Sequence, residues 1–271
     1  MWYNIGNAFK TERITRMLNR ILSYTRRCVE DYDMIQEGDR IAVGVSGGKD
    51  SLTLLATLAK LADFYPKHFT VEAFTLDMGH VDGGEGMDFA PVAAYCEKLG
   101  VPYTILPSEI HHIIFDLRKE KNPCSMCAKM RRGALHNAIR ERGITKIALG
   151  HHFDDAIETF FLSLFYEGRI SCFQPVTYLD RMGITQIRPL LYCSEWMLRR
   201  TAEVEQLPVV FNPCPADGYT KRQEVKELIH TLSKDYPDLR EKVFSAMQRL
   251  PLPAWEPQEH RRRPLAEDQT L

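Results

Sequence analysis

Three groups of side chains in this chain have the types and spacings that chemistry requires. The first is Ser46-Gly47-Gly48-Lys49-Asp50-Ser51, which follows the apolar run Ile41-Ala42-Val43-Gly44-Val45. Its glycines let backbone N–H groups approach an oxyanion closely, and a helix starting at Lys49 offers its positive end. Ser46 and Ser51 add hydroxyl donors, Lys49 adds a cation, and Asp50 is a candidate Mg²⁺ ligand. The string is not the common G-x-x-x-x-G-K-[ST] phosphate loop. Only three residues separate Gly44 from Gly48, and Asp50 stands where a hydroxyl residue would follow the lysine. An acid there opposes a polyphosphate unless a metal intervenes. A plain strand-to-helix turn would account for the glycines, but not for the donors, cation and carboxylate gathered with them.

The second group is Gly150-His151-His152-Phe153-Asp154-Asp155, continuing to Glu158-Thr159. Carboxylates at a helix start can simply cap it. Asp155 can instead bring Mg²⁺ to phosphate oxygens. Gly150 allows close approach to a nucleotide, and His151 and Asp154 would touch the nucleotide or orient the loop. Asp77, at the end of a second strand, is a further candidate facing the nucleoside.

The third group is cysteine. Cys124 and Cys127 form a C-x-x-C pair at a helix start, and Cys214 follows a proline in a Pro- and Gly-rich segment. Metals take the thiolate, which a helix N-terminus favours. Half a zinc site, a redox dithiol, a cluster site and core burial all remain open for the pair. Adding Cys214 makes three thiolates, which suits an iron–sulfur cluster with one open iron, zinc with a water, or a persulfide carrier. Cys28, Cys96, Cys172 and Cys193 sit among apolar or helical neighbours and read as core. Seven cysteines, an odd number, argue against a disulfide framework.

These groups need a scaffold that brings them together. Strand and helix patterns alternate from residue 40 to about 206, the order of an α/β, doubly wound parallel sheet, here of five strands. Strands are expected over 41–45, 71–76, 102–106, 146–149 and 186–188, and helices over 49–64, 87–99, 128–142, 154–165, 195–205 and 222–232. All three groups fall after strands, at the sheet edge where such folds bind ligands. Residues 1–36 read as an N-terminal helical arm, 37–232 as the nucleotide-binding and chemistry domain, 233–250 as a C-terminal helix, and 251–271 as a disordered tail. The net charge of −1 does not advertise nucleic acid, but basic residues cluster at Arg13, Arg16, Arg20, Arg26 and Arg27, and again around Lys129, Arg131 and Arg132. No apolar run nears the ~20 residues a membrane helix needs, and Met1 to Lys10 lacks the basic-then-apolar order of a secretory signal, so a cytoplasmic protein is expected.

The SGGKDS string resembles the signature of the PP-loop ATP pyrophosphatases, which cleave ATP between the α and β phosphates and adenylate a substrate. With PCxxC before Arg131-Arg132-Gly133, GHHxDDxxET, Ile187-Arg188-Pro189-Leu190 and the late Pro213-Cys214, the chain resembles the TtcA-type tRNA 2-thiocytidine synthetases over roughly residues 10 to 230. It departs where Pro215-Ala216-Asp217 replaces a further cysteine. The resemblance implies ATP and Mg²⁺, and a 4Fe–4S cluster held by Cys124, Cys127 and Cys214. Asp50 and Asp155 are expected to be the catalytic metal ligands. tRNA would be held by Lys129, Arg131 and Arg132, and a cytidine of its anticodon loop would be thiolated. A homodimer is expected, with a sulfur donor such as a cysteine desulfurase or free sulfide. Rival readings keep the chemistry but change the acceptor to a uridine or small molecule, or make the chain an RNA-binding or cluster-carrying protein without catalysis.

Overall fold

The computed structural model describes residues 2–79, 86–118, 123–211 and 221–249, with side chains from residue 17 onward. β1 (Asp39–Gly44) lies at the centre of one sheet. It pairs in parallel with β2 (Phe69–Asp77) on one side and β4 (Lys146–Ala148) on the other. β2 continues to β3 (Tyr103–Pro107) and β4 to β6 (Ile184–Ile187), both parallel. β5 (Val176–Leu179) closes that edge as the antiparallel partner of β6. The order is β3-β2-β1-β4-β6-β5. Among the described residues the sheet therefore has six strands, not the five expected. Val176-Thr177-Tyr178-Leu179 is too short a run to tell from a loop, and only its pairing with β6 makes it a strand.

Side chains alternate between the two faces of the sheet. Ile41, Val43 and Ala73 enter the larger core, while Ala42, Phe74, Ile147 and Ile184 enter a smaller core on the opposite face. Strands apolar on both faces need cover on both. α1 (Trp2–Asp31), α2 (Lys49–Ala62), α3 (Ala90–Lys98) and α6 (Glu195–Val204) contribute to the larger core, with α5 (Phe153–Glu167), α7 (Lys221–Asp235) and α8 (Leu239–Arg249) extending it. α4 (Pro123–Glu141) covers the other face through Ile139 and Leu135.

Leu18, Ile21, Leu22, Cys28 and Val29 of α1 are buried in the larger core, so from Leu18 onward this segment is part of the main body and not a detached arm. α4 begins at Pro123, five residues earlier than its periodicity suggests. Proline suits a first helical position because its missing N–H has no intrahelical partner to lose. A π-helical turn, His112–Leu117, precedes it in the chain. The tail expected to be disordered, 251–271, lies outside the described residues. Among the described residues no helix is long and apolar enough to cross a membrane.

Candidate active site

Strand order reverses between β1 and β4, and the loops leaving these two strands carry the first two motifs. After β1 the chain turns at Gly47, whose φ of +82° lies in the left-handed region that glycine adopts without penalty. The turn is tied internally. Ser46 N donates to Ser51 Oγ at 3.1 Å, and Ser51 Oγ donates to the Gly48 carbonyl at 2.9 Å. The returning chain after α6 braces it from outside, with Val210 N donating to Gly47 O at 2.9 Å.

Lys49 Nζ stands 3.0 Å from Asp50 Oδ2 and 3.4 Å from Glu195 Oε1. Burial alone would lower the Lys49 pKa, but Asp50 and Glu195 outweigh it and hold the ammonium above its ordinary value. Burial would raise the Glu195 carboxyl, yet the hydrogen bond and charge of Lys226, with Lys49 beyond, bring it down to about 2. Among the described residues, none bonds the buried Asp50 Oδ1. A desolvated carboxylate oxygen with nothing to accept from fits a hard cation such as Mg²⁺.

The β4–α5 loop sits directly against this turn. A Cβ on Gly150 would lie 3.2 Å from Ser51 N and 3.3 Å from Asp50 C, so glycine lets the two motifs touch where a side chain would crowd the backbone by a few tenths of an ångström. The neighbouring residues divide their work. His152 caps α5, accepting from Asp155 N, while Asp155 Oδ2 accepts from His152 N at 3.1 Å. Asp155 Oδ1 faces Arg222 Nη1 at 3.3 Å. Asp154 is buried elsewhere. It pairs with Arg240 of α8 and accepts from Glu195 N at 2.7 Å, joining the starts of α5 and α6. His151 is the one that faces inward, its ring 4.8 Å from Phe173. Burial and the Arg188 charge lower its pKa to about 4, so the imidazole is neutral.

A cavity of about 670 Å³ opens beside the loop. This is the size of an ordinary small-molecule site. Ser46 and Gly48 of the loop line it, together with an apolar wall of Phe74, Leu76, Met78 and Met87. Cys127, Arg131 and Arg132 of α4 line the same cavity. Cys124 and Cys127 stand three residues apart, on one face of the first turns of α4. Cys124 is exposed and Cys127 half-buried. Cys214 lies outside the described residues. Within them, no three His, Cys, Asp or Glu side chains converge as a metal cage.

The structure thus brings Ser46–Ser51, Gly150, His151, Cys127, Arg131 and Arg132 to one place. It does not bring Asp154, nor Asp77, whose Oδ1 accepts from Gly79 N at 3.0 Å, nor the exposed Lys129. Residues passed over in the sequence are Glu195, which grips Lys49; Arg222, which also reaches Glu158 and Thr159; and Arg188, His136 and Gln186 on the cavity wall. Arg188 lies in the Ile187–Leu190 run, whose sequence alone carries no role for it. Glu195 and Arg222 lie on helices remote in sequence and carried no local signal.

The chain matches the family model described as PP-loop domain over residues 12–232. A tRNA-cytidine(32) 2-sulfurtransferase of Actinobacillus pleuropneumoniae is 36% identical to it over 253 residues, covering 91% of this chain and 78% of that protein. Its namesake in Aliivibrio fischeri is 38% identical over 235 residues, covering 86% and 75%. Among solved structures, the U34-tRNA thiolase NcsA from Methanococcus maripaludis, with its 4Fe–4S cluster, aligns with a TM-score of 0.71 at 24% identity, over 86% of this chain and 78% of that one. That likeness is one of fold.

Proposed function

This chain belongs to the PP-loop family and, within it, to the tRNA-cytidine(32) 2-sulfurtransferases, and on that premise we propose that it uses ATP to adenylate the C2 oxygen of an anticodon-loop cytidine in tRNA and replaces that oxygen with sulfur. The observation that carries the reading is a single cavity lined both by the phosphate-binding turn, at Ser46 and Gly48, and by the thiol-bearing helix, at Cys127. Activation and sulfur delivery can then act on one bound base without its release.

ATP places its pyrophosphate on the turn, where backbone N–H groups, the Ser46 and Ser51 hydroxyls and the helix α2 start meet it. The apolar wall of Phe74, Leu76, Met78 and Met87 suits the adenosine. Lys49, held charged by Asp50 and Glu195, neutralises the phosphates as charge develops there. Mg²⁺ fits the unpartnered Asp50 Oδ1, and Asp155 would join it by exchanging its contact with Arg222. Arg131 and Arg132, exposed at the cavity, hold RNA phosphates, with Lys129 beside them, while a splayed base enters.

A 4Fe–4S cluster such as that of NcsA fits Cys124 and Cys127, with Cys214 as third ligand; when bound it supplies an iron open to sulfur. Val210, four residues before Cys214, is bonded to the phosphate turn, and four residues span at most ~14 Å, which supports the third thiol's reach. A cysteine desulfurase or free sulfide as donor, a homodimeric assembly and a cytoplasmic setting belong to the same reading, carried over from the family.

The test is to incubate tRNA with anaerobically reconstituted protein, ATP and sulfide, then analyse its nucleosides by mass spectrometry. 2-Thiocytidine is expected, and Cys127→Ser should keep pyrophosphate release while losing thiolation. 2-Thiouridine would overturn the acceptor; pyrophosphate release without any thionucleoside would overturn sulfur transfer.

A further inference from the structure

The strongest unassigned feature of the cavity is a buried charge. Arg188 follows β6 directly and is 6% exposed, yet it lines the cavity. Of its five N–H groups, those placed go to neutral acceptors: the Gln174 carbonyl, Thr177 Oγ1 at 3.2 Å and Gln186 Oε1 at 3.4 Å. Nε is buried without a partner among the described residues. The guanidinium lies 4.9 Å over the Phe173 ring. Among the described residues no carboxylate lies within ion-pair distance of it. Gln186 is oriented in turn, because Arg188 only donates and so must face the amide oxygen, leaving Nε2 for His136 Nε2 at 3.0 Å.

We propose that Arg188 is the cavity's anion subsite and binds the α-phosphoryl group of the adenine nucleotide. The inference rests on the nucleotide reading given above and deepens it. Neutral acceptors solvate a buried cation but leave its charge uncompensated, which is costly unless an anion arrives. Burial brings the Arg188 pKa down to about 10, so it stays charged at neutral pH. Its place also selects the phosphate. β6 lies two strands from β1, ~10 Å at ordinary strand spacing. The terminal phosphates belong to the turn after β1, and the α-phosphoryl group lies between that turn and the acceptor side, where Arg188 and Cys127 share the cavity wall. An RNA backbone phosphate stays at the mouth, where the exposed Arg131 and Arg132 already stand.

The test is calorimetric titration of the full chain with AMP, adenosine and a short single-stranded RNA, for the parent protein and the Arg188→Gln and Arg188→Lys variants. Loss of one charge-assisted hydrogen bond predicts that Arg188→Gln binds AMP about 10- to 100-fold more weakly, with adenosine and RNA affinities unchanged. Arg188→Lys, which keeps the charge, should recover most of that loss, and Arg188→Met, which removes it, serves as the test if the glutamine variant does not fold; AMP affinity unchanged in the charge-removing variant would overturn the proposal. Equal weakening of AMP and adenosine would overturn the proposal in favour of a packing role beneath Phe173. Weakening of RNA alone would overturn it in favour of a backbone-phosphate contact. A parent protein that binds no adenine nucleotide would instead sink the nucleotide reading itself.

Discussion

Replacing Gly150 with alanine tests the contact on which the site depends. The added Cβ would lie 3.2 Å from Ser51 N, 3.3 Å from Asp50 C and 3.4 Å from Ser51 Cα. Ordinary carbon contacts fall at ~3.5–4.0 Å, so the overlap is a few tenths of an ångström against each atom. All three are backbone atoms in the first turn of α2, which is locked by fully buried Leu52, Leu54 and Leu55. No flexible side chain can yield, and either the α5 start or the phosphate turn must move. Overpacking of this kind costs ~1–3 kcal/mol, partly offset by the ~0.4–1 kcal/mol that alanine removes from unfolded-chain entropy, for a net loss of about 1–2 kcal/mol. A displacement of that size should slow pyrophosphate release by about 10-fold, given that ~1 Å can cost 100-fold. Gly133→Ala is the control. Gly133 is inside α4 with nothing within 4 Å of its would-be Cβ, so alanine should stabilise by ~0.5–1 kcal/mol. Urea midpoints at constant slope and ATP-dependent pyrophosphate release measure both. Gly150→Ala with wild-type stability and rate would refute the reasoning, as would Gly133→Ala being equally harmful.

The adjacent aspartates should separate cleanly. Asp154→Asn weakens the pairing with Arg240 and the acceptor for Glu195 N, and should cost about 1–3 kcal/mol in thermal melts. Asp155→Asn should change stability by less than ~1 kcal/mol, because an amide oxygen can keep the α5 cap, while slowing pyrophosphate release at least 100-fold. Reversal of these two outcomes would show that the roles are misassigned. For pH, burial and Arg188 lower His151 from 6.5 to about 4, so the folded state binds fewer protons there than the unfolded chain. Its contribution is fully present above pH 6.5 and is lost as pH falls towards 4. His151→Asn should flatten this part of the stability profile, read from urea midpoints at about pH 7.5 and 4.5; an unchanged slope would count against it.

The alternation of short apolar runs with 3.6-period segments is a local property, so five of the six strands and most of the helices could be read directly from the chain. β5 could not, because four residues carry no period and become a strand only beside β6. The same limit applied to the site. The SGGKDS turn, the Gly150 loop and the cysteine pair could be singled out as candidates because a phosphate nest, a close approach and a thiolate pair each need particular residues at fixed spacing. The paired aspartates were not separable by sequence, since adjacent residues on a helix point about 100° apart and only packing decides which one meets Arg240 and which one Arg222.

By itself, then, the sequence determined the nucleotide chemistry and the family, because those rest on contiguous motifs. Tertiary structure decided that the turn and Cys127 share one cavity, that Glu195 and Arg222 hold Lys49 and Asp155, and that Arg188 lies buried there with no carboxylate of the described residues in ion-pair distance. Those relations join residues far apart in the chain, and only the packing of α4, α6 and α7 around the β1–β4 switch brings them within reach of one another.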